Sequence, residues 1–315
     1  MNYLPTPENA IRQSIDSITI FNEFCRVEQK AKATSGGMYW KRQGEYEYLT
    51  KTRLDNTQER LGARSESTEA IYAAFTKQKQ EAEARLKSLR ESLKEAERLN
   101  RALKVGRVPS TVVAVLNAIH QAGLSQNFTV VGTLALYAYE AAAGVRIIQG
   151  ALATQDADLF WGARRRVKFL TDMARLNTSM LSILQRADAS FQRKDDQIST
   201  AINDKGFEVD FLRRQPEGDD PHPVQFSSDE DDLWEVQAPR ASILTNAARF
   251  EQVVTSTSGQ MAKMITIDPA VFVSFKRWMA EEAVGRDAAR KRRDATQADI
   301  VQGLIDEGLL MLGYC

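Results

Sequence analysis

Three aspartates in two short segments are the residues of this chain best suited to chemistry. Asp156 and Asp158 stand two positions apart in an apolar segment that ends in Leu159 and Phe160, and Asp210 stands in a similar segment further on. Because successive side chains of a β-strand alternate between its faces, Asp156 and Asp158 project from the same side of one strand. If the segment around Asp210 forms a neighbouring strand, the three carboxylates lie at one edge of a sheet.

Carboxylates this close repel one another unless they share protons or bind cations. Their hard oxygens suit Mg²⁺, which completes its coordination shell with water and substrate phosphates. Upstream, Gly132 and Thr133 end an apolar segment and begin an alanine-rich helical segment, where backbone N–H groups are suited to a nucleotide phosphate. A lone D-x-D is a weak signal for metal, but a Gly-Thr helix start, a D-x-D strand and a third aspartate in this order are a stronger one.

This order of motifs resembles the nucleotidyltransferase superfold of polymerase β, kanamycin nucleotidyltransferase and the CCA-adding enzymes. The segments VGTLALYAYEAAAGV (131–145) and ATQDADLFW (153–161) are similar to those of a little-characterised bacterial group of nucleotidyltransferase-fold proteins. That group is distantly related to the nucleotidyltransferase toxins of toxin–antitoxin and phage-abortive-infection systems. The chain departs from the superfold pattern in having Thr133 where serine or glycine is usual, and in a long gap between Gly132 and Asp156.

The resemblance implies transfer of a nucleoside monophosphate from an NTP to an acceptor hydroxyl, with release of pyrophosphate. Asp156 and Asp158 would bind two Mg²⁺ ions, with Mn²⁺ as an alternative metal, and Asp210 would share the ion that lowers the pKa of the acceptor hydroxyl. Gly132 and Thr133 would approach the nucleotide phosphates through backbone amides and the threonine hydroxyl. A glycine suits that position because a Cβ would hold the phosphate away.

Three basic residues are further candidates for nucleotide binding. In the toxin-like relatives a strand–proline–helix element has a lysine that reaches the phosphates, and Lys276 is the matching position. Arg164 and Arg165 begin a basic cluster that ends at Lys168 and could clamp a triphosphate or a polynucleotide backbone. For all of them a solvated helix surface is an alternative interpretation.

Composition narrows the class of protein. The 315 residues include 42 basic and 42 acidic side chains, which argues against a protein that coats nucleic acid with a uniformly basic surface. Cys25 and Cys315 fit neither a disulfide framework nor a zinc site, and two histidines exclude a histidine-rich metal centre. No segment has the pattern of a signal peptide or the length of a membrane span. We therefore expect a cytoplasmic protein that has no membrane partner.

The hydrophobic periodicity predicts an α+β protein in three parts. Residues 1–108 are predicted to form an N-terminal helical module with a β-hairpin at 38–51 and a long amphipathic helix at 67–104. Residues 109–245 correspond to the part that the resemblance implies is a nucleotidyltransferase core on a mixed β-sheet, with a hairpin or extended segment predicted at 146–153 and a helix at 177–194. Residues 246–315 are predicted to form a C-terminal subdomain in which a strand hairpin precedes two helices.

The N-terminal module has two features that bear on partners. The predicted hairpin has aromatic residues next to basic ones, which could bind RNA by stacking and charge, or could be buried against a helix. These residues are Tyr39, Trp40, Tyr46 and Tyr48, with Lys41, Arg42, Lys51 and Arg53. The long helix has a single imperfect apolar stripe, which favours packing within the chain but also fits a homodimer.

Other classes of function stay open at this stage. A glycosyltransferase uses a D-x-D to bind Mn²⁺ and a nucleotide-sugar, although the Gly-Thr helix start and the third acid favour the nucleotidyltransferase. A catalytically inactive protein of the same fold would bind a partner or nucleic acid, and an antitoxin or assembly partner would act through its long helix. Among nucleotidyltransferase acceptors the sequence does not distinguish tRNA, another RNA, a protein side chain or a small molecule.

Overall fold

A computed structural model gives the structure of residues 2–33, 36–53, 57–162, 166–215, 225–238 and 241–310. The chain divides into two compact units. Met1–Ile11 and Leu103–Cys315 together form the first, here termed the core unit, and Arg12–Ala102 form the second, the inserted unit.

The described residues form strands and helices in the following chain order. The strands are β1 (Tyr3–Pro5), β2 (Gly37–Gln43), β3 (Tyr46–Thr52), β4 (Gln58–Ala63), β5 (Phe128–Val131), β6 (Val145–Ile147), β7 (Asp156–Trp161), β8 (Gln192–Lys194), β9 (Gln197–Ile202), β10 (Glu208–Arg213), β11 (Val236–Gln237), β12 (Arg249–Thr255) and β13 (Met261–Ile267). The α-helices are α1 (Glu8–Ala33), α2 (Glu66–Ala102), α3 (Ser110–Gln121), α4 (Ala135–Ala143), α5 (Gln149–Leu152), α6 (Arg166–Leu176), α7 (Met180–Gln185), α8 (Ser242–Asn246), α9 (Pro269–Glu281) and α10 (Ala288–Asp306). Short 3₁₀ turns cover Ser125–Asn127 and Gly132–Leu134.

The inserted unit combines a three-stranded sheet with two long helices. Strands β2, β3 and β4 pair antiparallel in that order, so the predicted hairpin is present but has a third strand that the sequence did not indicate. The long helix packs within the chain, because Leu86 and Leu89 of α2 form a buried cluster with Val27 of α1. A homodimer through α2 stays a prediction.

The core unit is built on a mixed sheet, which confirms the predicted α+β class. Its strand order is β5-β7-β10-β9-β8, and β11 also pairs with β10. Strand β10 is parallel to β7 and to β11 and antiparallel to β9, while β5 is antiparallel to β7. Alternating side chains of β7, β10 and β5 fill a continuous apolar core in which Trp161, Phe211 and Phe169 are almost fully buried.

A second layer of the core unit joins the hairpin β12–β13 to the sheet. The Thr266 hydroxyl of β13 donates to the Val130 carbonyl of β5 at 2.7 Å, and the buried Tyr139 hydroxyl of α4 donates to the Ile267 carbonyl at 2.8 Å. Helices α9 and α10 follow the hairpin and pack against each other. The predicted hairpin and the two predicted C-terminal helices are therefore present. None of the described helices combines the length and apolar composition that crossing a membrane requires.

Two predicted elements of the core unit are wrong. The segment predicted as a hairpin or extended segment at 146–153 is extended only in β6, which pairs with β1, and then forms helix α5. The segment predicted as a helix at 177–194 forms helix α7 and then enters the β8–β9 hairpin. The helix ends early because Asp188 accepts a hydrogen bond from the Ser190 hydroxyl at 2.7 Å, a local turn that competes with helix.

Candidate active site

The three aspartates meet near the starts of β7 and β10, two adjacent strands in the interior of the mixed sheet. Asp156 and Asp158 lie two apart on β7, Asp210 lies on the adjacent parallel strand β10, and the register places Asp210 directly opposite Asp158. One carboxylate oxygen from each of the three lies within 4.8 Å of the others. Parallel pairing explains the meeting, since both strands present the same side of the pleat at the same level. The structure thus brings together the three acids that the sequence singled out.

Neighbouring hydroxyl groups orient two of these carboxylates. The Thr200 hydroxyl of β9 donates to Asp210, and the Thr154 hydroxyl, just before β7, donates to Asp156. Thr200 is the residue directly opposite Asp210 in the antiparallel β9–β10 pair, so its position follows from the register.

The electrostatics of the cluster are those of crowded carboxylates. Burial raises the pKa of Asp158 to about 7, and the neighbouring charges of Asp156 and Asp210 add to the shift. Burial also raises the pKa of Asp210, against the opposing effect of the Thr200 hydrogen bond. The three carboxylates lie so close together that they repel one another, and a bound proton or cation would reduce this repulsion.

Gly132 lies against the central acid. Val131, at the end of β5, is directly opposite Asp158 in the β5–β7 pair, and Gly132 follows it with a φ of 70°. A Cβ on Gly132 would collide with Oδ2 of Asp158. The chain then enters the 3₁₀ turn Gly132–Leu134 and helix α4, so a helix start lies beside the carboxylates as the sequence predicted. The Val131 cap residue supplies no side-chain hydrogen bond to that start.

Thr133 is buried, with 6% of its surface exposed, and its hydroxyl accepts a hydrogen bond from Nε2 of Gln297 at 3.2 Å. The same nitrogen donates to the Ala151 carbonyl at 2.7 Å, and Gln297 is itself fully buried. Helix α10 is thus tied to the Gly-Thr turn and to the segment that precedes β7. In this arrangement the threonine hydroxyl is already engaged by Gln297.

Lys276 is a buried lysine rather than a residue of a helix surface, with 3% of its surface exposed. Its ammonium group donates to Oδ1 of Asp294 at 2.8 Å, and the Arg286 guanidinium donates to Oδ2 of the same aspartate at 2.5 Å. Lys276 and Arg286 also lower the pKa of Asp158, opposing its burial, so both cations act electrostatically on the acid cluster. Two basic side chains that share one aspartate therefore act electrostatically on Asp158.

The structure gives less information on the other basic residues that were predicted to bind the nucleotide. Arg164 and Arg165 lie outside the described residues, and Lys168 at the end of that cluster is exposed on α6. Sequence reasoning missed Arg286, Asp294 and Gln297 as members of the site. A usable signal existed for the last two, because they are polar residues on the otherwise apolar stripe of α10 that continues through Ala298, Val301 and Leu304.

The close approach of Gly132 to Asp158 yields a prediction about Gly132→Ala, for which Gly206→Ala is the control variant. We expect Gly132→Ala to lower the free energy of unfolding by about 1–3 kcal/mol for the left-handed backbone alone, and to displace Asp158 as well. Gly206 has a similar φ of 73°, but a Cβ there would meet no atom within 4 Å. Gly206→Ala should therefore lower the free energy of unfolding only through its left-handed backbone conformation. It should keep any thermal stabilisation by Mg²⁺, whereas Gly132→Ala should lose that stabilisation. Thermal melts with and without Mg²⁺ test this; equal Mg²⁺ responses in the two variants would contradict it.

Three facing carboxylates beside a glycine-containing helix start have a chemistry that suits the binding of cations and phosphates. Comparison with known proteins gives the class. A family model described as "Nucleotidyltransferase" matches residues 110–312, well over half of the chain, and the chain belongs to this nucleotidyltransferase family. No curated protein and no solved structure matches the chain. The matched region contains the acid cluster, the Gly-Thr turn and Lys276 but not the inserted unit.

Proposed function

We propose that the protein transfers a nucleoside monophosphate from an NTP to an acceptor hydroxyl and that this reaction depends on Mg²⁺. The acceptor oxygen bonds to the α-phosphorus, the bond between that phosphorus and the oxygen that joins it to the β-phosphorus breaks so that pyrophosphate leaves, and the hydroxyl proton is released to solvent. The observation on which the proposal rests is the convergence of Asp156, Asp158 and Asp210 in a chain of the nucleotidyltransferase family. The family membership favours this reaction over transfer from a nucleotide-sugar.

The acid cluster fits a magnesium site by its own chemistry. Each aspartate offers a hard oxygen within 4.8 Å of the other two, and the pKa of Asp158 is raised as expected for a carboxylate without its counter-charge. Asp156, Asp158 and Asp210 would hold the metal, as two Mg²⁺ ions or as Mn²⁺. Bound there, the metal would neutralise the triphosphate and lower the pKa of the attacking hydroxyl.

The chain's own residues would bind and orient the nucleotide. Gly132 leaves the space next to Asp158 free of a side chain, so the backbone amides of Gly132 and Thr133 can approach a phosphate. Lys276 and Arg286, whose positive charges act on Asp158, would supply positive charge toward the phosphate oxygens. Arg164 and Arg165 remain candidates for the same role.

The acceptor defines the biological role. RNA, including tRNA, and protein side chains are the acceptors we propose, in a toxin-like or defence function of the kind found in the related bacterial systems. Such a protein would act in the cytoplasm.

Labelling tests the proposal directly. The purified protein is incubated with each of the four α-³²P-labelled NTPs, Mg²⁺ and a cell lysate, and label is then sought in RNA, protein and small molecules. We expect label from one NTP in one class of acceptor, and loss of that label when EDTA replaces Mg²⁺. No incorporation from any NTP, with a protein that binds NTP and is folded, would support the catalytically inactive alternative.

The raised pKa of Asp158 predicts how metal and pH act together. A group whose pKa is higher in the folded state than in the unfolded state stabilises the fold at low pH, and this contribution is lost as pH rises through the folded pKa. Without metal, the melting temperature should therefore fall between about pH 4, near the ordinary pKa of an aspartate, and about pH 7, where Asp158 ionises in the folded protein, and should level off above it. Mg²⁺ binds the ionised form, so its stabilising effect should be largest above pH 7 and small at about pH 5. Thermal melts across this range, with EDTA as control, would contradict the prediction if the Mg²⁺ effect were independent of pH.

A further inference from the structure

The sheet of the inserted unit has two faces of different character. One face packs on helix α2: the rings of Trp40 and Tyr72 lie 5.9 Å apart, and the Lys51 ammonium lies 6.0 Å from the centre of the Phe75 ring. The Arg64 guanidinium lies over Trp40 on this side as well. The strand alternation then assigns the intervening residues to the opposite face.

That opposite face, here termed the tyrosine face, carries three tyrosines and two cations. It consists of Tyr39, Lys41, Gln43, Tyr46, Tyr48 and Arg60. Lys41 is opposite Tyr48 and Gln43 is opposite Tyr46 in the β2–β3 pair. Tyr46 is 65% exposed and Tyr39 is 38% exposed, so their rings are in contact with solvent rather than buried against a helix.

The polar groups of the tyrosine face hold one another in place without a carboxylate. The Arg60 guanidinium lies 3.2 Å from the centre of the Tyr48 ring and donates to the Gln43 side-chain oxygen at 3.0 Å. Lys41 donates to the Gln58 side-chain oxygen at 3.5 Å. A guanidinium held flat on a ring presents its other side as a stacking surface, and amide partners leave both cations with their full charge.

The carboxylates of these strands lie on the other face. Glu47 pairs with Arg64 at 2.5 Å, and Glu59 pairs with Arg53 at 3.0 Å, so both are already neutralised. Among the described strand residues none on the tyrosine face is acidic. The inserted unit as a whole is also more basic than the rest of the chain. Residues 12–102 include 18 basic and 14 acidic side chains, whereas the rest of the chain includes 24 basic and 28 acidic side chains. The overall charge of zero therefore conceals a basic inserted unit.

We propose that the tyrosine face binds single-stranded RNA, and that the acceptor of the transfer reaction is an RNA with an unpaired segment. Exposed rings and a flat guanidinium stack bases without regard to sequence, and cations unopposed by carboxylates bind the phosphate backbone. The Gln43 amide, next to Arg60, is suited to the 2′-hydroxyl that distinguishes RNA from DNA. The choice of acceptor rests on the proposed function, but the binding of RNA does not.

Binding of a labelled RNA to the full-length protein tests this face. The probe is a fluorescein-labelled RNA of mixed sequence and of roughly 20 nucleotides, longer than such a face can cover. Fluorescence anisotropy gives the Kd at several salt concentrations for three variants. Lys41→Ala/Arg60→Ala removes both cations, Tyr39→Ala/Tyr46→Ala removes the exposed rings, and Lys77→Ala/Arg90→Ala removes two exposed cations of α2 as a matched control.

We expect each variant of the tyrosine face to raise the Kd about tenfold or more, because each stacked base or paired phosphate contributes at this level. The loss of two cations should also reduce the slope of log Kd against log salt by about 1.4. The control variant should change the Kd by much less, and Tyr39→Phe/Tyr46→Phe should retain most of the affinity because the rings remain. Circular dichroism checks that all variants are folded.

Four results would overturn the inference. The first is that the unmodified protein does not bind the RNA, and the second is that the control variant loses as much RNA affinity as the variants of the tyrosine face. The third is that single-stranded DNA of the same sequence binds as tightly as the RNA, and the fourth is that nucleotide is incorporated into protein alone. Failure of the proposed reaction is recognised separately: RNA binding that depends on the tyrosine face, with no incorporation from any NTP, would remove the transfer reaction and leave the RNA-binding face in place.

Discussion

Asp158→Asn should abolish nucleotide transfer while leaving the fold intact. Asp158 is the central acid of the cluster, opposite Asp210 and two residues from Asp156. Asparagine has nearly the same shape but no charge, so the repulsion within the cluster falls and the metal loses a ligand. Since metal-based charge stabilisation contributes several kcal/mol to the transition state, we expect the rate of incorporation to fall about a thousandfold or more.

Stability measurements separate this loss from unfolding. Without metal at pH 8, the melting temperature of Asp158→Asn should equal or exceed that of the unmodified protein, because a crowded, partly buried charge has been removed. Asp195→Asn is the matched control, an exposed aspartate in the turn between β8 and β9, and it should leave both transfer and melting unchanged. If Asp158→Asn folds normally and keeps full biological activity, the protein uses this fold for binding and the proposed catalytic role of the site is wrong. If the protein arrests growth as a toxin would, that effect should disappear with the same substitution.

Asp294→Ala should be the most destabilising single substitution in the site. Asp294 is fully buried and receives both Lys276 at 2.8 Å and Arg286 at 2.5 Å. Removing it leaves two cations without their shared partner, one of them almost fully buried. We expect a loss of about 3–5 kcal/mol in the free energy of unfolding, the range measured when one member of a buried ion pair is deleted.

Two further variants in α9 and α10 make this test specific. Lys276→Met should cost less than Asp294→Ala, because Asp294 keeps Arg286 and the new side chain suits a buried position. Asp287→Ala removes an exposed helix cap one turn from Arg290 and should cost less again. Urea unfolding gives all three values. An Asp294→Ala variant as stable as Asp287→Ala would mean that the three charged groups do not depend on one another.

The acid cluster could be predicted from the sequence because its determinants are local. Alternation along β7 fixes that Asp156 and Asp158 share a face, and the apolar residues around Asp210 identify a second buried strand. Strand β5, the Gly-Thr turn and the β12–β13 hairpin follow from similar short patterns. The family match then supports the fold that these motifs resemble.

The remaining parts depend on contacts between distant residues, which local patterns do not encode. Arg286 and Lys276 meet through Asp294, and Thr133 meets Gln297 across 164 positions of sequence. The sequence predicts a helix that continues to residue 194, into strand β8, because Ile183 and Leu184 continue a helical pattern up to the turn that Asp188 forms. The partner of β6 was missed because β1 has only three residues.

The pairing of β1 with β6 has a consequence for the order in which the protein assembles during synthesis. Tyr3 leaves the ribosome before its partner Ile147, which follows only after the whole inserted unit has been made. The inserted unit is continuous in sequence, so it can fold while the core unit is still incomplete. The N-terminal strand must stay unpaired until then, and at about 5–20 residues per second this wait lasts several seconds or more. A truncated gene that begins at residue 103 would supply nearly all of the core unit but would leave the edge of β6 exposed.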